Sequence, residues 1–219
     1  MKLIESKGNM YTWITHECNP IRGKCEHNCS YCYMKKWGEP KPIHIDWSFL
    51  DTDLGYGKTI FMVSGADMFA NEIPNTWIVP ILMHCQEYDN SYLFQSKNPK
   101  RFHEFWEYFP KKSIFCTTIE TNRVYPQMGN TPSPQERAKA MNLIDGSKYV
   151  TIEPIMDFDV SELIGLIRDC DPIQVNVGAD SKGHGLIEPP KEKILELIHE
   201  LKKFTIIDQK RNLSRILDK

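Results

Sequence analysis

The sequence alternates six times between short apolar segments and longer segments with helical periodicity. The short segments are rich in Val, Ile, Phe, Tyr and Thr, and several are almost continuously apolar, which is typical of parallel strands covered on both faces. We predict strands at residues 10–15, 59–65, 91–97, 112–120, 148–154 and 172–178. We predict helices at residues 76–88, 98–109, 133–144, 161–170 and 190–204. Such alternation requires right-handed crossovers and predicts an α/β fold with a parallel sheet.

Two architectures are compatible with this alternation, an open doubly wound sheet and a barrel. A complete eight-unit barrel typically takes ~250 residues, whereas this chain has 219 residues. The length and the six units favour a partial, open (β/α)6 barrel of the TIM type, formed by residues 1–219 as one domain. In either architecture, functional groups are expected at the carboxyl ends of the strands.

The composition excludes several classes of protein. A net charge of −2 gives no overall attraction to nucleic acid or to an anionic membrane. The N-terminus lacks the apolar run of a signal peptide, and no segment approaches the ~18 apolar residues of a membrane span. Seven cysteines, an odd number, do not resemble the disulfide framework of a secreted protein. We therefore expect a cytoplasmic protein without membrane contact, whose thiols remain reduced.

Three of the cysteines lie within eight positions in the loop that follows the first predicted strand, at about residues 16–37. Cys25, Cys29 and Cys32 have the spacing C-x3-C-x2-C, and no fourth cysteine follows nearby. A structural zinc site would need a fourth ligand, which Cys18 or His27 could supply. An electron-transfer iron–sulfur cluster normally uses four cysteines. A third interpretation is a cubane cluster with one iron open to a reacting ligand.

Tyr31 immediately precedes the last cysteine, and this C-x3-C-x-aromatic-C motif after a first strand resembles that of the radical S-adenosylmethionine (SAM) superfamily. The resemblance implies a [4Fe–4S] cluster on Cys25, Cys29 and Cys32, with the amino and carboxylate groups of SAM on the fourth iron. It also implies reductive cleavage of SAM to a 5′-deoxyadenosyl radical, which abstracts hydrogen from a substrate. The electron would come from an external flavodoxin- or ferredoxin-like donor.

The resemblance assigns SAM-binding positions to the ends of the next strands. Ser64, Gly65 and Asp67 follow the second strand, where the family commonly contacts the amino group of SAM. Gly65 permits close approach of the backbone, and Asp67 stands where the family often has Glu. The same residues also fit an ordinary turn in which Asp67 caps a helix.

Polar residues also end the third and fourth strands. Thr118 and Glu120 share one face of the fourth strand. The family often places groups there on the ribose and carboxylate of SAM, and Glu120 is our predicted ribose acceptor. Lys97, after the third strand, and Arg123, just past Glu120, could each bind a SAM carboxylate or a substrate anion. Judged singly, each of these two cations is explained more simply as a surface charge.

The last two predicted strands end at Glu153 and Asn176. Glu153 stands in an otherwise apolar segment, and a carboxylate at that position needs polar partners or a ligand. Asn176, with the glycine-rich segment after it, suits a loop over the adenine end of SAM or over substrate. Cys18 could face the same site, whereas burial is the expected role of Cys85, Cys116 and Cys170.

The segments QSKNPKRF, TTIETN and TIEPI have a finer resemblance to a phage-associated, largely uncharacterised branch of the superfamily. That branch is distantly similar to spore photoproduct lyase, a DNA repair enzyme. The substrate is not defined by this resemblance. A nucleobase or nucleotide is the leading expectation, followed by a small metabolite and then a peptide or protein.

Overall fold

A computed structural model describes residues 1–7, 10–181 and 183–218 and contains two sheets. The strands of the larger sheet are β1 (Ile4–Glu5), β2 (His16–Cys18), β5 (Thr59–Met62), β6 (Ser91–Gln95), β7 (Ser113–Thr118), β8 (Ser147–Ile152), β9 (Gln174–Val177) and β10 (Ile206–Gln209). A separate two-stranded sheet pairs β3 (Ile21–Arg22) with β4 (His44–Ile45).

The larger sheet has the order β1-β2-β5-β6-β7-β8-β9-β10, so its edges are β1 and β10. The edge strand β1 is antiparallel to β2, and every other neighbouring pair is parallel. The order of the parallel strands follows the chain order, as successive right-handed crossovers require. The predicted α/β fold with parallel strands is therefore confirmed and no closed barrel is seen among the described residues, although the parallel strands number seven rather than the six of the predicted partial, open barrel.

Helical segments connect the parallel strands and pack against one another in chain order. The α-helices are α1 (Asn75–Gln86), α2 (Pro134–Asn142), α3 (Val160–Cys170), α4 (Lys191–Leu201) and α5 (Ser214–Leu217), and short 3₁₀ helices cover Tyr33–Trp37, Trp47–Asp51, Pro126–Met128 and Arg211–Leu213. The predicted helix at 98–109 is instead a 3₁₀ segment, Pro99–Tyr108, which is kinked at Phe105. None of the helices within the described ranges is long and apolar enough to cross a bilayer.

The main core lies between the sheet and this helical layer. Alternate strand residues such as Ile60, Met62 and Phe94 belong to this core, as do Leu82 of α1 and Leu197 of α4. Because successive strand residues point to opposite faces, the residues between them face the other side. That second face forms a smaller apolar cluster from Tyr11, Ile14, Phe61, Leu93 and Cys116.

The predicted first strand at residues 10–15 is wrong, because the first parallel strand is β2. Tyr11 and Trp13 stack at a centroid distance of 5.3 Å and belong to the smaller apolar cluster. Their aromatic character therefore reflects burial against the sheet, not strand pairing. The sequence analysis also missed β10, a four-residue edge strand that contains Asp208 and Gln209 and buries little apolar surface.

Candidate functional site

A cavity of about 910 Å³ lies at the carboxyl ends of the parallel strands. Segments that follow seven of the strands contribute to its wall, and its volume lies in the ~300–1,000 Å³ range of ligand pockets. The contributing residues include Cys25, Cys29 and Cys32 after β2, Ser64, Gly65 and Asp67 after β5, Lys97 after β6, Thr118 of β7, Glu153 after β8, Asp180 after β9, and Lys210 after β10. Most of the predicted site residues are thus brought together around one space.

The three motif cysteines occupy one part of this wall as free thiols. Cys29 is buried, whereas Cys25 and Cys32 are partly buried. Burial, reinforced by the nearby Asp67 carboxylate, raises the pKa of the Cys25 thiol to about 12. Burial also raises the pKa of Cys29. A coordinating metal would deprotonate such thiols, because the thiolate is the ligand form.

Residues 126–131, here called the bracing loop, hold the cysteine loop in place. The contacts join main-chain atoms of the two loops and one motif thiol. Ser30 N donates to Gln127 O at 2.8 Å, Asn130 N donates to His27 O at 2.8 Å, and Cys29 Sγ donates to Met128 O at 3.2 Å. The sequence analysis did not identify this loop, because its contacts use backbone groups that leave no compositional signature.

Gly129 is required where the two loops cross. Its φ is +66°, and a Cβ added there would lie 2.0 Å from His27 O and 2.9 Å from Asn28 C. These are backbone atoms, which cannot move aside as a flexible side chain could. The close approach of the bracing loop therefore depends on glycine at this position.

Asp67 is buried and accepts four hydrogen bonds. Its donors are His27 Nε2 at 2.7 Å, Ser96 Oγ at 3.0 Å, Lys97 N at 2.8 Å and Phe69 N at 2.9 Å. Burial opposes ionisation of Asp67, but the bond from His27 and the backbone donors outweigh it and lower the pKa below its usual value. Asp67 thus joins the cysteine loop to the ends of β5 and β6. Its bond from Phe69 N closes a local turn, but the next described helix, α1, begins at Asn75, so the predicted helix cap at Asp67 is wrong.

Glu120 lies behind the cavity wall at 0% exposure. Its carboxylate accepts from Tyr31 Oη, from Lys97 Nζ and, at 2.8 Å, from Arg137 Nη1. Burial opposes ionisation, but the Arg137 and Lys97 charges hold the pKa of Glu120 far below its usual range. These three donors favour an indirect role for Glu120 over the predicted contact with ribose, which stays a prediction.

Tyr31 and Lys97 lie between the buried Glu120 carboxylate and the cavity, because each bonds to Glu120. Both line the wall, and Lys97 Nζ lies 5.0 Å from the centroid of the Tyr31 ring, within the range of a cation–π contact. Arg137 was not identified from the sequence, because it lies in the helix α2 and does not directly follow a strand along the chain.

The turn after β5 brings Ser64 and Gly65 to the wall. Val63 adopts a φ of +57°, which is unusual for a β-branched residue. Ser64 Oγ donates to Glu17 Oε2 at 2.5 Å, and Gly65 N donates to Asn19 Oδ1 at 3.0 Å. A Cβ on Gly65 would meet only ordinary contacts at 3.6 Å or more, so no neighbouring protein atom requires glycine at this position.

Thr118 and Asn176 have different locations. Thr118 lines the cavity, and its Oγ1 accepts from Gln95 Nε2 at 3.1 Å. Asn176 is buried within the sheet, where it donates to Thr151 Oγ1 at 3.3 Å and accepts from Gln174 Nε2 at 2.8 Å. The structure therefore does not bring Asn176 to the cavity wall.

Arg123 also lies outside the cavity wall. Its guanidinium binds Asp159 through Nε at 2.9 Å and Nη2 at 2.6 Å, and Asp157 through Nη1 at 2.5 Å. The ion pairs with Asp159 and Asp157 raise its pKa above the ordinary arginine value. Its side chain thus joins the segment after β7 to the segment after β8. This arrangement agrees with the alternative of a surface location for Arg123 and not with a ligand contact.

Glu153 lines the opposite side of the cavity within a polar network. It accepts from Lys210 Nζ at 2.5 Å and from Asn212 Nδ2 at 2.8 Å. Lys210 also lies 4.6 Å from the centroid of the Tyr11 ring, and both line the cavity. The sequence analysis missed Tyr11 and Lys210, since one was assigned to a strand and the other follows the unpredicted strand β10.

Cys18 does not face this site. Its thiol is 1% exposed, belongs to the main core and lies 3.8 Å from Met1 Sδ. The other three non-motif cysteines, Cys85, Cys116 and Cys170, are each fully buried, as expected.

No protein-family model and no curated protein matches the sequence. Solved structures do match the fold. A variant of spore photoproduct lyase with bound AdoMet and dinucleoside spore photoproduct matches with a TM-score of 0.68 at 11% sequence identity, over 91% of this chain and 78% of that chain. Spore photoproduct lyase complexed with the dinucleoside spore photoproduct gives a TM-score of 0.66 at 12% identity over the same shares. The chain has the fold of spore photoproduct lyase.

The distant similarity to spore photoproduct lyase that was predicted from three strand-end segments is thus confirmed for the fold. Within the described ranges, no three His, Cys, Asp or Glu side chains converge on the position of a single metal ion. A mononuclear zinc site needs thiolate ligands ~2.3 Å from one point, whereas a cubane cluster binds each thiolate through a different iron.

Proposed function

We propose that this protein is a radical SAM enzyme that holds a [4Fe–4S] cluster on Cys25, Cys29 and Cys32 and binds SAM across the strand ends. The observation that carries the proposal is the placement of three thiols on the wall of one strand-end cavity, in a fold similar to that of an AdoMet-binding enzyme. When bound, the reduced cluster supplies the electron that cleaves SAM to a 5′-deoxyadenosyl radical, which abstracts hydrogen from substrate.

The donor set fits such a cluster. Three thiols on the cavity wall leave one iron without a protein ligand, and an open coordination position is how a metal centre admits a reacting ligand. Cys18 is directed into the core and is not available as a fourth ligand.

The chain's own residues bind and orient SAM. Lys97 supplies a cation for the carboxylate, and the Ser64–Gly65 segment presents backbone groups to the amino group. Thr118 lies on the wall for the ribose hydroxyls. Tyr31 packs beside the cluster position, where Glu120 fixes its hydroxyl. Glu153 faces the adenine end of SAM or the substrate.

The substrate proposed first is a nucleobase or nucleotide. Solved structures with this fold include complexes with a dinucleoside, and the Lys210 cation lines the cavity, where it lies over the Tyr11 ring. A small metabolite is the alternative. The electron would be delivered by an external flavodoxin- or ferredoxin-like donor, which could approach the exposed Lys35, Lys36 and Trp37 next to the third cysteine.

One observation favours a zinc-binding function as a second candidate. His27 Nε2 is bonded to Asp67, and His27 Nδ1 is buried without a hydrogen-bond partner among the described residues. A histidine that binds metal through one nitrogen usually has a carboxylate on the other. In that case His27 would complete a site with the three cysteines, and no SAM would bind.

Anaerobic reconstitution tests the proposal against this candidate. A radical SAM enzyme should contain about four iron and four sulfide per chain and should produce 5′-deoxyadenosine from SAM only when a reductant is present. The His27→Gln variant should keep its iron. Stoichiometric zinc that disappears in His27→Gln, together with the absence of SAM binding, would refute the enzyme assignment.

A further inference from the structure

Arg137, Glu120 and Lys97 form a buried charge triad behind the SAM side of the cavity. Arg137 Nη1 and Lys97 Nζ each bind one oxygen of the Glu120 carboxylate. The side chains of Arg137 and Glu120 are 0% exposed, whereas that of Lys97 is 19% exposed. Lys97 is thus the one member of the triad with exposed surface, and the net charge of the triad reaches the cavity through it.

The charges of the triad do not cancel. Arginine is always protonated in proteins, and the pKa of Glu120 is held low by its two cations. Two positive charges and one negative charge leave a net charge of +1. An unpaired buried charge is strongly disfavoured, so Arg137, which has no exposed surface, must be matched with Glu120. The surplus positive charge is therefore left at Lys97, where the cavity can hold an anion.

A purely structural role for Arg137 is the competing explanation. Its guanidinium also donates to Thr118 O at 2.6 Å, to Pro132 O at 2.8 Å and to Thr131 Oγ1 at 3.1 Å. These bonds join the end of β7 to the bracing loop. On this explanation Arg137 would matter because it fixes the backbone, and its effect on Glu120 would be incidental.

We propose that Arg137 is a positioning residue that neutralises Glu120, so that Lys97 keeps its positive charge for an anionic group in the cavity. The inference rests on the proposed function in taking the SAM carboxylate as that anion. Without Arg137, Lys97 is the only remaining cation on Glu120, and the triad has no net charge to offer the ligand.

Affinity for SAM, measured by equilibrium titration of the reconstituted protein, separates the two explanations. The Arg137→Met variant has a triad charge of 0 and should bind SAM at least about tenfold more weakly, a loss of about 1.4 kcal/mol. The Arg137→Met/Glu120→Gln double variant returns to +1 and should bind with nearly the wild-type dissociation constant. Glu120→Gln alone leaves the buried Arg137 without its carboxylate and should lower stability, but the folded variant should bind SAM no more weakly than wild type.

A structural role predicts a different pattern. Both variants that lack Arg137 lose the bonds to Thr118 O and Pro132 O, so both would bind SAM equally poorly. That result would overturn the inference. A weakened Glu120→Gln variant would also contradict it and would support a direct contact of Glu120 with ribose.

Arg137→Lys keeps the inference testable if the methionine variant does not fold. Lysine preserves the charge but cannot reproduce the several bonds of the guanidinium, so charge neutralisation predicts near-normal SAM affinity, and loss of binding would refute it.

Arg101→Met is the matched control. Arg101 is also buried and donates to Ala70 O at 2.5 Å and Ile73 O at 3.0 Å, and its loss should lower stability without changing SAM affinity.

Two further measurements separate this inference from the proposed function. Methylthioadenosine lacks the carboxylate of SAM, and its binding should be insensitive to the Arg137 substitutions. If wild-type protein binds no SAM and makes no 5′-deoxyadenosine, the proposed function has failed. If wild type binds SAM and Arg137→Met binds it equally well, only the role of Arg137 has failed.

Discussion

Replacement of Gly129 by alanine should separate the bracing loop from the cysteine loop. The added Cβ would lie 2.0 Å from His27 O and 3.0 Å from Asn28 O, so the two backbones must move apart. Gly129 has φ +66° and ψ −136°, and a non-glycine residue in such a sparsely populated backbone conformation costs about 1–3 kcal/mol. Losing the bonds from Ser30 N and Asn130 N adds about 0.5–1.5 kcal/mol each. We expect a total loss of about 2–6 kcal/mol in the free energy of unfolding.

Thermal unfolding of the apoprotein and iron analysis after reconstitution measure the two consequences. For a domain of this size, the expected loss corresponds to a fall in Tm of roughly 4–24 °C. Without the bonds from Ser30 N and Asn130 N, the cysteine loop no longer holds Cys29 in place, so iron content should fall as well. Gly165→Ala is the matched control, because no atom lies within 4 Å of the added Cβ in α3. That substitution should raise stability by about 0.5–1 kcal/mol and leave iron unchanged. A Gly129→Ala protein with wild-type Tm and wild-type iron would refute the bracing role.

Three other substitutions and one control test separate parts of the site. Cys29→Ala should abolish the cluster iron, while the control Cys170→Ala, at the buried last residue of α3, should retain it; equal losses would mean that the cysteine motif is misassigned. At pH values above the ordinary carboxyl pKa, Asp67→Asn should be less stable than wild type. The folded-state pKa of Asp67 is lowered, so the ionised carboxylate stabilises the folded protein in that pH range. The difference in the free energy of unfolding between wild type and Asp67→Asn should shrink as the pH falls from the ordinary carboxyl pKa through the lowered folded-state pKa. A pH-independent difference in urea unfolding would contradict the lowered pKa of Asp67. Arg123→Ala should leave the SAM dissociation constant unchanged and cost only about 1 kcal/mol or less; a large loss of SAM affinity would restore its predicted ligand contact.

Local patterns in the sequence determined the fold class and much of the position of the site. Strands such as Ser113–Thr118 and helices such as Lys191–Leu201 follow from apolar periodicity, which depends only on neighbouring residues. Parallel strands align their carboxyl ends, so the cavity wall could be predicted to include Lys97 and Glu153 before their contacts were known. The capping box of α2 is similarly local, with Ser133 N donating to Glu136 Oε2 at 2.8 Å.

Only the tertiary structure decided what each polar side chain does at that edge. Glu120 and Arg123 are close in the sequence, yet Glu120 is buried among cations behind the cavity and Arg123 pairs with two aspartates outside it. Arg137 and Gly129 act through groups that are distant along the chain, and no local pattern encodes such contacts. The parallel alignment of the strands fixes the edge of the sheet at which a residue lies. The hydrogen-bond partners of that residue depend on which segments the completed sheet brings beside it.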